Sequence, residues 1–143
     1  MMRDIRITGG IVKNRLVRFH SRPGLRPTTS LVRSAIFNIV SPYLVNPLAL
    51  DLFAGTGALG IEALSRGAVY LDTVEENVSN CKTITSNLKE LGFASISKVH
   101  QSKVEKKIPL LTGPYDLITM DPPYSYPNTN EILENLAHSL ILN

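Results

Sequence analysis

Cysteine is almost missing from these 143 residues: Cys81 stands alone, which rules out an internal disulfide and a cysteine metal cluster. His20, His100 and His138 are scattered, and no spacing of histidines or carboxylates suggests a metal site. No stretch approaches the roughly 20 apolar residues that a membrane span requires. The opening Met1-Met2-Arg3-Asp4-Ile5-Arg6 lacks the apolar core of a signal peptide. Repeats and low-complexity segments are missing too. These absences leave a soluble domain with a cytoplasmic location as the expectation. Hydrophobic residues make up 43% of the chain and charged ones 19%, and a domain of this size buries roughly 70% of its unfolded surface.

Acidic residues are scarce at one end only. Residues 1–33 hold eight basic residues against Asp4 alone, a net +7, whereas residues 34–143 hold seven basic and eleven acidic residues, a net −4. One basic end on an acidic body is the distribution of a polyanion-docking arm. Seven of the eight are arginines, whose guanidinium fork matches phosphate geometry. Lys13, Arg15, Arg18, Arg22 and Arg26 are the expected contacts to such a polyanion, a nucleic acid being the one that the arginine guanidinium groups suit, on an arm at residues 1–27.

Residues 5–7 and 15–20 read as the strands of a hairpin, and Arg22-Pro23-Gly24-Leu25-Arg26-Pro27 as a loop. Thr28 or Thr29 can cap a helix whose apolar face is Leu31, Val32, Ala35, Ile36, Ile39 and Val40. From Leu48 onward strands alternate with helices. Strands are expected at 48–53, 69–74, 96–100 and 115–120, with helices at 58–66, 78–91, 104–111 and 131–138. That order predicts an α/β fold, a parallel doubly wound sheet with helices on both faces. Ligands then sit beyond the carboxyl ends of its strands, beside the first.

The loop Asp51-Leu52-Phe53-Ala54-Gly55-Thr56-Gly57-Ala58-Leu59-Gly60 leaves the first strand of that sheet and enters a helix. Gly55 permits the tight turn, and Gly57 lets backbone approach a ligand without a Cβ in the way. The glycines also satisfy the dinucleotide pattern, so they do not choose a cofactor by themselves. Asp51 precedes the turn, where it would repel a pyrophosphate and welcome a methionine ammonium. Glu75 ends the second strand of the sheet, where a carboxylate can accept both ribose hydroxyls. The second feature suits a nicotinamide dinucleotide or S-adenosylmethionine, and the first favours S-adenosylmethionine.

Asp121-Pro122-Pro123-Tyr124 follows the fourth strand of that sheet. The prolines hold an extended backbone and supply carbonyls with no competing donors. An exocyclic base amine is a poor nucleophile because its lone pair is delocalised into the ring. Hydrogen bonds to the Asp121 carboxylate and the Pro122 carbonyl favour a pyramidal nitrogen, while Tyr124 stacks on the base. The base must be flipped out of a duplex or presented in an unstacked loop. His20, His100, His138 and Cys81 read as structural, Asn77 as a helix cap or an adenosine contact, and Tyr126 as a packing residue within reach of the base.

Together these residues resemble the bacterial 16S ribosomal RNA guanine-N2 methyltransferases, the small-subunit methyltransferase D type. The resemblance runs through 6–10, 24–29, Val32-Arg33, Phe37-Asn38, 51–60, 62–68, Val74-Glu75 and 121–124. The 24–29 stretch ahead of Val32-Arg33 and Phe37-Asn38 is the most particular to that family. The resemblance implies a Rossmann-like class I methyltransferase core at 28–143 that transfers methyl to guanine N2 of 16S rRNA in the small subunit or an assembly intermediate. It implies S-adenosylmethionine at Asp51, Phe53, Ala54, Gly55, Thr56, Gly57, Glu75, Lys103 and Val104, and base handling by Asp121, Pro122, Pro123 and Tyr124, without metal or membrane. Lys103 stands where the family carries an Asp or Asn near the adenine, which points to lower cofactor affinity. The chain stops at Ser139-Leu140-Ile141-Leu142-Asn143, where the family begins a fifth strand, so a truncated core with an exposed sheet edge is expected. DNA adenine-N6 or cytosine-N4 methylation, a nicotinamide oxidoreductase and an inactive RNA-binding remnant are the rival readings.

Overall fold

In the computed structural model, residues 1–138 are described. The chain opens with an antiparallel hairpin, β1 (Met2–Arg6) and β2 (Leu16–His20), followed by α1 (Ser30–Val40). A βα series then runs through β3 (Leu48–Leu52), α2 (Ala58–Ser65), β4 (Tyr70–Glu75), α3 (Val78–Glu90), β5 (Ser97–Gln101), α4 (Val104–Lys107), β6 (Leu117–Met120) and α5 (Thr129–His138). The four later strands form one parallel sheet in the order β5-β4-β3-β6. The chain steps outward from β3 to β5, then returns to the far side of β3 with β6. That reversal is the switch point of a doubly wound sheet, and it opens a crevice at the carboxyl ends of β3 and β6.

Alternating side chains on the strands feed two cores. Ala49 joins Ile61, Leu64, Ile84 and Leu88 on one face, while Leu50, Leu52 and Val74 join Val104, Ile108, Ile132 and Leu136 on the other. Every residue of α2 is buried, Glu62 and Ser65 included, because sheet, hairpin, α1 and α3 surround it, and those two polar side chains are hydrogen-bonded there. Ile7 and Val17 are fully buried in the same cluster as α2 and α3. The hairpin therefore packs on the core as a layer, and its exposed faces carry the arginines. The expected sheet edge at residues 139–143 lies outside the described residues.

Two details differ from the sequence reading. The expected helix at 104–111 is one turn of α-helix followed by a 3-10 turn at Ile108–Leu110, where Pro109 lacks the N–H that α geometry would use. More instructive is α1. Its expected apolar face is largely solvent-facing, with Leu31 80% and Ile39 69% exposed, while Arg33 and Phe37 are buried. The helix is turned by an ion pair: Arg33 Nε meets the fully buried Glu62 at 3.5 Å. Its two terminal nitrogens donate to the carbonyls of Thr28 and Arg6, each at 2.6 Å. A buried guanidinium satisfied on all sides overrides hydrophobic periodicity.

Candidate active site

At the carboxyl ends of β3, β4 and β6 lies an open cleft of about 680 Å³. Its walls are the Phe53–Leu59 turn, the end of β4 at Glu75, the 121–126 segment and a strap at residues 22–28. The turn is held by alternating backbone: Phe53, Gly55 and Gly57 all have positive φ, at 55°, 58° and 80°. A side chain at Gly55 would sit in the left-handed region and meet Leu25 at 3.2 Å. Phe53 accepts that strain, and its ring packs edge-on against Tyr126 at 4.7 Å. Glu75 closes the turn from the other side, with Oε2 accepting from the Gly55 N–H at 2.6 Å and Oε1 from the Asn77 N–H at 2.9 Å.

Of the residues expected to bind a cofactor, Phe53, Ala54, Gly55, Thr56, Glu75 and Val104 line the cleft; Asp51, Gly57 and Lys103 do not. The missing Cβ of Gly57 faces Ile84 of α3 at 2.9 Å, so the glycine serves the turn and helix packing there, and the approach of a ligand is eased at Gly55. Lys103 is exposed just before α4, and its neighbours Ser102 and Val104 face the cleft instead. Asp51 lies behind the turn, 1% exposed, accepting from Gly60 N–H at 3.2 Å and from the Thr119 hydroxyl at 2.7 Å. Burial pushes its carboxyl up to about 7; these two bonds oppose the shift, and the charges of Glu75 and Asp121 add to it.

Asp121, Pro122, Pro123 and Tyr124 all line the cleft, with the Tyr124 ring 98% exposed at its mouth. The Arg26 guanidinium stands over that ring, 5.9 Å from its centre. Arg22 and Arg26 belong to the cleft wall, whereas Lys13, Arg15 and Arg18 lie along the hairpin outside it. Arg15 reaches the carbonyl of Glu90 at 3.5 Å, and the backbone of Arg18 pairs with the Asn87 amide. The five residues of β2 separate Arg15 from the strap by about 17 Å at roughly 3.3 Å per residue. The expected arm is thus a line of charge leading away from the cleft.

Comparison with known proteins fits this geometry. The family model described as Conserved hypothetical protein 95 matches residues 5–143. The chain belongs to this family. The ribosomal RNA small subunit methyltransferase D of Buchnera aphidicola (Acyrthosiphon pisum strain) is 37% identical over 134 residues, covering 92% of this chain and 70% of that protein. Its counterpart in Escherichia coli K12 is 38% identical, covering 85% of this chain and 61% of its own length. A solved Escherichia coli structure described as a candidate methyltransferase, yhhF, superposes with a TM-score of 0.83 at 34% identity, covering 98% of this chain and 77% of that one. The fold is accordingly the Rossmann-like methyltransferase fold, and this member of the family spans about 61–70% of those two curated relatives.

The cleft roles of Thr28 and Asn80 in this family member escaped the sequence reading, which does name Asn77 as a helix cap or an adenosine contact. Thr28 donates its hydroxyl to Asp121 Oδ2 at 3.0 Å. Asn77 is the cap of α3, accepting from Asn80 N–H at 3.0 Å, and both residues line the cleft. The pattern 24–29 was the available signal for Thr28, although no spacing rule links it to a carboxylate 93 positions away. His100 and Cys81 are engaged elsewhere: His100 meets Asp72 at 2.7 Å, and the Cys81 thiol donates to the Glu75 carbonyl at 3.2 Å. Burial raises that thiol to about 11, with Glu75 adding to the shift. Among the described residues no group of His, Cys, Asp and Glu is arranged to hold a metal ion, and no helix is long and apolar enough to cross a membrane. A smaller hollow of about 260 Å³ lies at the opposite end of the sheet, beside Phe37, Pro47 and Arg66, and none of the cleft motifs reaches it.

Proposed function

We propose that this chain is the catalytic core of an S-adenosylmethionine-dependent methyltransferase acting on guanine N2 of 16S rRNA. One observation carries the reading: Glu75 and Asp121 line a single cleft with Asp51 buried behind its glycine turn, and among the described residues none of the three is in an ion pair. The carboxylates at the glycine-turn end suit a cationic group and disfavour a pyrophosphate there, while Arg22 and Arg26 stand on the strap side. A volume near 680 Å³ suits a nucleoside-sized ligand. Glu75 and the Gly55 turn hold the ribose end, Val104 offers backbone to the adenine, and Asp51 provides the negative field behind the methionine ammonium. Bound there, S-adenosylmethionine would supply an electrophilic sulfonium methyl, with the thioether as its leaving group.

The chain's own work is orientation and charge. The Asp121 carboxylate and Pro122 carbonyl accept from the two hydrogens of the target amine, leaving its lone pair aimed into the cleft. Tyr124 stacks on the base. As the amine becomes methylated, its surplus proton passes to Asp121 and from there to water at the open mouth. Arg22 and Arg26 hold phosphates beside the flipped nucleotide, and Arg18, Arg15 and Lys13 continue that track along flanking RNA.

Support for the ribosomal substrate comes from the relatives' names and from the basic strap. The test is incubation of this chain with labelled S-adenosylmethionine and either small subunits from an unmodified strain or unmethylated plasmid DNA, followed by nucleoside analysis. Label in N2-methylguanosine is the expected result. Label in DNA adenine or cytosine, with none in the subunit, would overturn the assignment.

A further inference from the structure

The stretch Gly24-Leu25-Arg26-Pro27-Thr28-Thr29 marks the family resemblance, yet cofactor and base handling leave most of it without a task. Its two threonines divide their work. Thr29 is the cap of α1, its hydroxyl accepting from Val32 N–H at 3.3 Å. Thr28 is thereby spared that duty and donates to Asp121 Oδ2 at 3.0 Å. The backbone carrying Thr28 is not a free loop. Its carbonyl accepts from Arg33 Nη1 at 2.6 Å, and Arg33, 1% exposed, is paired in turn with the fully buried Glu62.

Asp121 has the opposite character. It is exposed, and the two prolines that follow it carry no N–H to restrain its carboxylate. No other side-chain hydrogen bond to its carboxylate is found among the described residues. Left alone, such a side chain samples several rotamers, and a misplacement of about 1 Å at a reacting group costs on the order of 10²-fold in rate.

We propose that Thr28 is a positioning residue: anchored through Arg33 to Glu62, it pins Oδ2 of Asp121 so that Oδ1 is left to accept from the target amine. The inference rests on the methyl-transfer reading given above.

The test compares Thr28→Val, which keeps the branched shape and loses the hydroxyl, with Thr28→Ser, which keeps the hydroxyl. Thr28→Val should lower kcat about 10- to 100-fold, with KM for small subunits and Kd for S-adenosylhomocysteine held within about twofold. Thr28→Ser should recover kcat to within about threefold, and Thr28→Val added to Asp121→Ala should cost nothing more. A change confined to KM, a serine variant as slow as the valine one, or an additive double variant would each overturn the proposal. Background methylation by the wild-type chain would sink the functional reading alone. The Hα–Hβ couplings of Asp121, measured by NMR without substrate, decide positioning in that case: one rotamer in wild type and Thr28→Ser but averaging in Thr28→Val supports it, and equal couplings in all three refute it.

Discussion

Glu62 and Asp121 are carboxylates joined through Arg33 and Thr28, yet their surroundings could hardly differ more. Glu62 is 0% exposed and fully saturated: it accepts from the Thr8 and Gly9 backbones, the Thr8 hydroxyl, Arg33 and Arg66. Asp121 is exposed, with Thr28 as its side-chain partner. The first binds hairpin, α1 and α2 into one body. The second keeps acceptor capacity in reserve, as a group must if a substrate is to use it. Saturation gives rigidity, vacancy gives chemistry, and the strap at 22–29 is the piece that lets one lend order to the other.

The sharpest way to break this contrast is at the saturated end. Glu62→Ala strands Arg33 in the interior, and an uncompensated buried charge costs about 3–5 kcal/mol, read as a loss of unfolding free energy in urea. Asp121→Ala should do the reverse: stability within about 0.5 kcal/mol of wild type, but kcat on small subunits lower by on the order of 10²–10³. Equal destabilisation by both variants would erase the distinction. Glu75 lies between the extremes, since it holds the Gly55 turn and also lines the cleft. Glu75→Ala should weaken S-adenosylhomocysteine binding, measured calorimetrically, by about 1.5–3 kcal/mol, or roughly 10- to 150-fold.

The smallest effect concerns Asp51. Its folded-state value of about 7 lies above its ordinary 3.8. Between those values the folded chain holds a proton that the unfolded chain has lost, so this group's stabilising contribution is present at low pH and disappears as pH rises through about 7. A cation arriving in the cleft favours the ionised form and draws the value down. Binding of S-adenosylhomocysteine near pH 7 should therefore release a fraction of one proton, seen as a buffer-dependent enthalpy. Asp51→Asn should abolish that dependence, and its persistence in the variant would place the proton elsewhere.

Much of this molecule was legible in the sequence, for identifiable reasons. The glycine turn and the proline-flanked Asp121 are local: their residue types demand a particular backbone, and the βα alternation around them forces the parallel sheet. What periodicity misread was α1, because Arg33 counts as polar in any pattern and only the distant Glu62 makes its burial favourable. Asp51 is a related case. Its place before the turn could be read, but its enclosure behind Gly60 and Thr119 depends on the return of β6 beside β3. The charge asymmetry was visible as a sum; its division into a pair at the cleft and a trail along the hairpin needed the register of β2.

The adjacent threonines carry a last consequence. Surface connections ordinarily absorb an inserted or deleted residue without complaint. Between Pro27 and Ser30 a slip of one position that handed Thr28 the helix cap would take its hydroxyl away from Asp121, so this stretch should refuse the loss of a residue as stubbornly as a helix interior does.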